Sequence, residues 1–181
     1  MVPVKRSRRG RQTEPHRNPK EVRQIESFER GTYVLVLRLT HHRIMRVGSL
    51  GMIRFVRGYY TYVGSARRGM RSRVARHLAR EKRKRWQIDW LTTQPRVMPI
   101  VVASTMRTGL ECRIATALSG RADGRVDGFG CSDCECESHL CYFSNADDLF
   151  SALENLRSYG ASVQRVRIRF RQLGRSKSAV I

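Results

Sequence analysis

The sequence predicts an α+β fold, one small sheet flanked by helices, and three observations carry that expectation. Strand-length runs rich in β-branched and aromatic residues occupy 32–39, 59–63 and 96–103. Apolar residues at helical spacing follow the second and third runs, at Met70, Val74 and Leu78 and then at Ile114, Ala115, Ala117 and Leu118. A glycine-bearing quartet, Gly48-Ser49-Leu50-Gly51, separates alternating segments around Ile44–Val47 and Met52–Val56, which reads as an inserted hairpin.

Residues 1–30 are rich in Arg, Lys, Pro and Glu without a sustained apolar period, so a flexible basic arm is expected there. A folded domain is expected over 31–143. Its first run, Thr32 to Leu39, is nearly continuous in apolar residues, as in a central strand covered on both faces. In the second run a period of two puts Tyr60 and Tyr62 on one face and Tyr59, Thr61 and Val63 on the other. Beyond Gly69 the chain turns helical, and Arg73, His77 and Glu81, four residues apart, are expected on one helix face.

A short helix is expected over Trp86 to Leu91, then the third strand, where Pro99 calls for an edge or a bulge. Thr108-Gly109-Leu110-Glu111 has the spacing of a capping box, and Gly120 or Gly124 would end the helix it starts. Residues 144–181 form the remaining segment. Leu149, Ala152, Leu153 and Leu156 mark an amphipathic helix stopped by Gly160, and Val163 to Arg171 alternates apolar residues with arginine, as a strand or an extended basic tail.

With 181 residues, 40% of them hydrophobic, the chain suffices for one domain with a core. Its 36 Lys+Arg against 15 Asp+Glu give a formal charge of +21, which points to a polyanionic partner, because each neutralised phosphate releases counterions. Ten Lys and Arg lie between Arg67 and Arg85 with only Glu81 opposing, whereas nine of the fifteen acids lie between Glu111 and Glu154. Nucleic acid is therefore expected across the Arg67–Arg85 face, with Arg67, Arg68, Arg71, Arg76, Arg80 and Arg83 as candidate phosphate contacts. No apolar run approaches the roughly 20 residues of a membrane span, and no signal sequence is recognisable, so an intracellular, cytoplasmic protein without a membrane partner is expected.

Hydrolysis of a phosphodiester needs an oriented water, a cation beside the phosphoryl oxygens and help for the departing oxygen. Tyr33 and Tyr62, on two strands of one sheet, offer phenols that can orient or deprotonate a water. Arg73 offers a planar cation matched to phosphate. His77, one helical turn later, titrates near neutrality and can shuttle a proton. Glu111 offers a hard oxygen ligand for Mg²⁺ or Mn²⁺. Each has a plainer role too: tyrosines on strands are ordinarily core, Arg73 is one of ten cations on a basic stretch, His77 can be a hydrogen-bonded helix residue, and a capping box accounts for Glu111 without a metal.

Gly31-Thr32-Tyr33, Gly58-Tyr59-Tyr60-Thr61-Tyr62-Val63-Gly64-Ser65-Ala66, Arg73 to Leu78, Trp86 to Leu91, Glu111-Cys112 and Gly128 to Leu140, taken together, resemble the GIY-YIG nucleases, and among them the Uri-type domains, over about residues 31–143. Thr32 and Val63 stand where that name has isoleucines. The resemblance implies a small three-stranded antiparallel sheet with flanking helices and a metal-dependent endonuclease hydrolysing DNA, as in repair or processing. It also implies catalytic roles for Tyr33, Tyr62, Arg73 and His77, and metal ligation by Glu111. The late asparagine of many relatives has no counterpart before Asn145; His139 is a candidate substitute. The competing expectation is a catalytically silent module that binds DNA or RNA through the same basic face, and a basic RNA-associated protein is a third.

Five cysteines, four of them within eleven residues, do not suit a secreted disulfide framework. Cys131-x2-Cys134-x-Cys136-x2-His139-x-Cys141 is dense in soft ligands, and Cys112, Cys134, Cys136 and His139 form a candidate structural Zn²⁺ set. The alternative is a group of buried thiols packing as small apolar residues.

Overall fold

The computed structural model describes residues 29–165, so the basic arm over 1–28 and the arginine-alternating segment beyond 165 lie outside the described residues. In chain order the elements are β1 (Gly31–Leu39), β2 (Arg43–Arg46), a 3-10 turn (Gly48–Leu50), β3 (Met52–Phe55), β4 (Gly58–Ala66), α1 (Met70–Leu78) and α2 (Gln87–Thr92). They continue with β5 (Val97–Thr105), α3 (Glu111–Ser119), β6 (Gly124–Arg125), β7 (Leu140–Phe143), α4 (Ala146–Glu154), a 3-10 helix (Asn155–Tyr159) and β8 (Ser162–Arg165).

The apolar run of β1 lies in the middle of the main sheet because both its faces are covered. Tyr33, Leu35, Leu37 and Leu39 face one core with Met70 and Val74 of α1, Ile88 and Leu91 of α2, and Phe55 of the hairpin. Val34 and Val36 face the other, with Ile114, Ala115 and Leu118 of α3 and Leu149, Ala152 and Leu153 of α4. The alternation expected in the second run holds: Tyr60 and Tyr62 join the first core, and Val63, with Tyr59 packed against it, the second. Residues 144–160 are thus part of the same packed unit, contributing Leu156 as well as α4.

The sheet has six strands, in the order β6-β7-β4-β1-β5-β8, with every pairing antiparallel. This corrects the expectation of three. The expected strands are its centre, β4-β1-β5; β6 and β7, of two and four residues, are too short to carry a period in the sequence, while the edge strand β8 takes in the first residues of the alternating run that starts at Val163, read as a strand or a tail. Pro99 is accommodated at a bulge: Leu37 faces Pro99 but Val36 faces Val101, so Ile100 is the extra residue. β8 pairs only with Val101–Ser104, leaving the outer side of Pro99 free of that ladder. The hairpin β2–β3 forms a separate two-stranded sheet.

Two local expectations fail. α1 stops at Leu78, because Ala79 is extended at φ −68°, ψ 131°, so Glu81 does not share a helix face with Arg73 and His77. Lys82 turns back instead and donates to the carbonyls of Arg76 and His77, both at 2.9 Å, closing the end of the helix. The capping box at Thr108 does not form: the N-cap is Leu110, no side chain caps the helix, and Glu111 is its first residue. Gly120 is the C-cap, one of the two glycines expected to end this helix. Among the described residues no helix is long and apolar enough to cross a membrane.

Candidate active site and thiol cluster

The two glycine-bearing tripeptides meet across the β1–β4 ladder, where Tyr33 faces Gly64. A Cβ at Gly64 would lie 2.5 Å from the Tyr33 hydroxyl oxygen, so the glycine is there to admit the phenol. The space it opens directs Tyr33 towards α1, and its hydroxyl lies 2.8 Å from Nε2 of His77. Both are buried, at 2% and 1% exposure. His77 is therefore a buried residue that sits behind Tyr33. Burial lowers its pKa from 6.5, against the opposing influence of Asp89, which keeps the imidazole neutral at pH 7.

Asp89 was not singled out in the sequence, yet it organises this layer. It is fully buried on α2. Its Oδ2 accepts from Arg76 at 2.7 Å and from the backbone N–H groups of Arg85 and Trp86 at 2.9 and 3.1 Å. Its Oδ1 faces Nζ of Lys82 at 3.4 Å and Nδ1 of His77 at 3.6 Å. Burial alone would raise its pKa, but His77, the two backbone donors and Lys82 outweigh burial and hold the carboxyl well below its ordinary 3.8. A signal was present: between Glu29 and Glu111 the only acids are Glu81 and Asp89, and Asp89 lies three residues after Trp86, the N-cap of α2.

In front of this layer is a cleft of about 610 Å³, bordered by Tyr62 of β4, Arg73 of α1, Trp86 and Gln87 at the start of α2, Glu111 of α3, and Asp133 on the loop before β7. Burial raises the Tyr62 phenol to about 12, with Arg73 opposing, so it is a neutral donor and acceptor at pH 7. The Arg73 guanidinium stacks on Trp86 at 4.8 Å and has no carboxylate partner among the described residues. Glu111 likewise has neither a hydrogen bond nor an ion pair among them. With the capping role gone, its oxygens are open to a hard cation, and Asp133 adds a second carboxylate to the wall. Tyr62, Arg73 and Glu111 are thus together at the cleft, while Tyr33 and His77 stand behind it.

The candidate phosphate contacts divide. Arg67, Arg68 and Arg83 are exposed and Arg71 is half-buried. Arg76 is tied to Asp89 and to the Arg83 carbonyl, and Arg80 donates to the Gln94 carbonyl at the end of α2, so these two hold the fold together. Arg85, which also borders the cleft, is exposed and was not among the candidates.

The cysteines divide too. Cys112, Cys134, Cys136 and His139 bring one ligand atom each to within 4.8 Å of one another, a grouping able to hold a metal ion. Cys141 is buried in the second core, the packing role expected of small thiols. Cys131 donates its thiol to the Phe129 carbonyl at 3.4 Å. Cys112, Cys134 and His139 also border the cleft, beside Glu111.

The fold and site define a basic α+β domain with a polar cleft walled partly by a cluster of potential metal ligands. Residues 32–160 match the family described as "Domain of unknown function DUF123", and the chain belongs to that family. No curated protein and no solved structure matches the chain.

Proposed function

We propose that this protein is a metal-dependent endonuclease that hydrolyses DNA phosphodiester bonds in the cleft bordered by Tyr62, Arg73 and Glu111, in DNA repair or processing. The observation that carries the proposal is the convergence on one cleft of a guanidinium and a carboxylate, neither with an ionic partner among the described residues, and a neutral phenol. An Arg73 without a carboxylate partner among the described residues, braced on Trp86, suits two oxygens of one phosphate, and its fixed plane costs little further ordering on binding.

Tyr62 orients the attacking water. A phenol held up at about 12 is a poor source of phenolate at neutral pH, so orientation and proton relay are its tasks rather than outright deprotonation. Tyr33 and His77 are positioning residues: the Tyr33–His77 bond, with Asp89 behind the imidazole, holds the base of the cleft rigid. Glu111, helped by Asp133, would hold Mg²⁺ or Mn²⁺, since hard carboxylate oxygens with room for water fit such an ion. Bound there, the ion supplies a cation to the phosphoryl oxygens in the transition state. Exposed Arg67, Arg68, Arg83 and Arg85, with half-buried Arg71, carry the flanking backbone.

The test is a cleavage screen over plasmid, single-stranded and branched DNA, with RNA alongside, in Mg²⁺ and Mn²⁺. Glu111→Ala and Arg73→Ala are expected to abolish nicking while binding largely survives. Full activity in both variants would refute the mechanism. Salt-dependent binding without cleavage by the native protein under either ion would instead favour the silent nucleic-acid-binding module.

A further inference from the structure

We propose that Cys112, Cys134, Cys136 and His139 bind one Zn²⁺ in a closed tetrahedral site that clamps the first turn of α3 to the 131–139 loop and thereby sets the position of Glu111.

The geometry is near that of a bound site. Nε2 of His139 lies 3.5 Å from the Cys134 sulfur and 4.0 Å from the Cys112 sulfur, and the four ligand atoms all lie within 4.8 Å. A tetrahedral zinc with bonds of about 2.3 Å to sulfur and about 2.0 Å to nitrogen separates its ligand atoms by roughly 3.5–3.8 Å. Small inward movements of thiols reach that arrangement. Soft sulfur donors with an imidazole select zinc over the hard cations suited to Glu111. Four protein ligands leave no open position, so the site is structural.

The loop is built to present His139. Its backbone N–H donates to the Phe129 carbonyl at 2.7 Å, and its carbonyl accepts from Val63 of β4 at 2.9 Å. Gly130, at φ +79°, lies against it: a Cβ there would come within 3.0 Å of the His139 Cβ. His139 is therefore held at its backbone, and Gly130 leaves the space that a side chain there would take from it. Spacing alone would include Cys131, which begins the Cys-x2-Cys pair, but its thiol is turned to the Phe129 carbonyl instead. The fourth ligand comes from Cys112, far away in sequence and adjacent to Glu111. Loss of the ion would release two neighbouring parts of the cleft wall at once.

The inference does not depend on the cleft being a nuclease, and its test has no nuclease readout. The full chain is purified without a histidine tag and its metal content measured, and Co²⁺ is exchanged in to report thiolate coordination by absorption. Expected are one equivalent of zinc and a tetrahedral thiolate–Co²⁺ spectrum, both retained in Cys131→Ser and Cys141→Ala. Cys112→Ser, altering an exposed thiol at a helix surface, should weaken zinc affinity at least tenfold with the fold intact, and Cys134→Ser should lose the ion. Metal-free native protein after growth in zinc, a disulfide among these cysteines, or a Co²⁺ spectrum and zinc affinity indifferent to Cys112→Ser would each overturn the site. Should Cys134→Ser fail to fold, the native protein, Cys131→Ser and Cys112→Ser still decide it.

Discussion

Replacing Asp89 by Asn removes one negative charge from beneath the cleft and leaves the shape almost unchanged. In the native protein that charge faces Arg76, 24% exposed, and Lys82, 4% exposed, and accepts two backbone N–H groups. Removing one partner of a buried ion pair typically costs about 3–5 kcal/mol, because the remaining charges keep their desolvation penalty. Against a total stability of about 5–15 kcal/mol this is a large share. At a urea m-value of about 2 kcal/mol/M the unfolding midpoint should fall by roughly 1.5–2.5 M.

The pH dependence adds a second readout. The folded pKa of Asp89 lies below 3.8, so its contribution is whole above pH 3.8 and is lost as pH falls through the folded value. His77, also lowered, contributes above pH 6.5 and loses that contribution as pH falls through its own folded value. Native protein should therefore lose stability from about pH 6.5 downward and more steeply below about 3.8, and Asp89→Asn should lack the lower, Asp89-dependent part. A loss under about 0.5 kcal/mol at pH 7, the range of an ordinary surface change, would refute the buried hub.

Other outcomes follow from the same contacts. Gly64→Ala should cost about 1–3 kcal/mol by forcing the Tyr33 ring aside, read by urea unfolding, and should leave protein that binds DNA but cuts it poorly. Tyr33→Phe leaves buried Nε2 of His77 without its hydroxyl partner and should cost about 1–3 kcal/mol in the same assay. Arg67→Ala and Arg68→Ala should each lower the slope of log affinity against log salt by about 1 without altering the urea midpoint. Arg80→Ala should do the reverse, lowering the midpoint while the salt slope holds, because its guanidinium is engaged with carbonyls at the end of α2.

The contrast between Arg67 and Arg80 shows where sequence reading stops. Composition marks both as cations on a basic stretch, and only the fold sends one to solvent and the other to the Gln94 carbonyl. The three central strands, the hairpin, α2 and the helix ended by Gly160 were legible because each has its own period or punctuation. β6 and β7 were not, since strands of two and four residues form on the template of neighbours already in place, and the alternation from Val163 left strand and tail open where the structure has β8. Likewise Thr108 and Glu111 have the spacing of a cap, but helix α3 begins two residues too late for that pair to close.

By itself the sequence determined the charge, the order of the central elements and the residue types available for chemistry, because these depend on composition and on periods within a few residues. It paired Tyr33 with Tyr62, Arg73 with His77, and Cys112 with the late cysteines only as possibilities of type. Tertiary structure decided which of them share a space: Gly64 opens room for the Tyr33 phenol, His77 goes behind it to meet Asp89, and Tyr62, Arg73 and Glu111 remain at the cleft. Burial and distance are properties of segments brought together from across the chain, and no local pattern contains them.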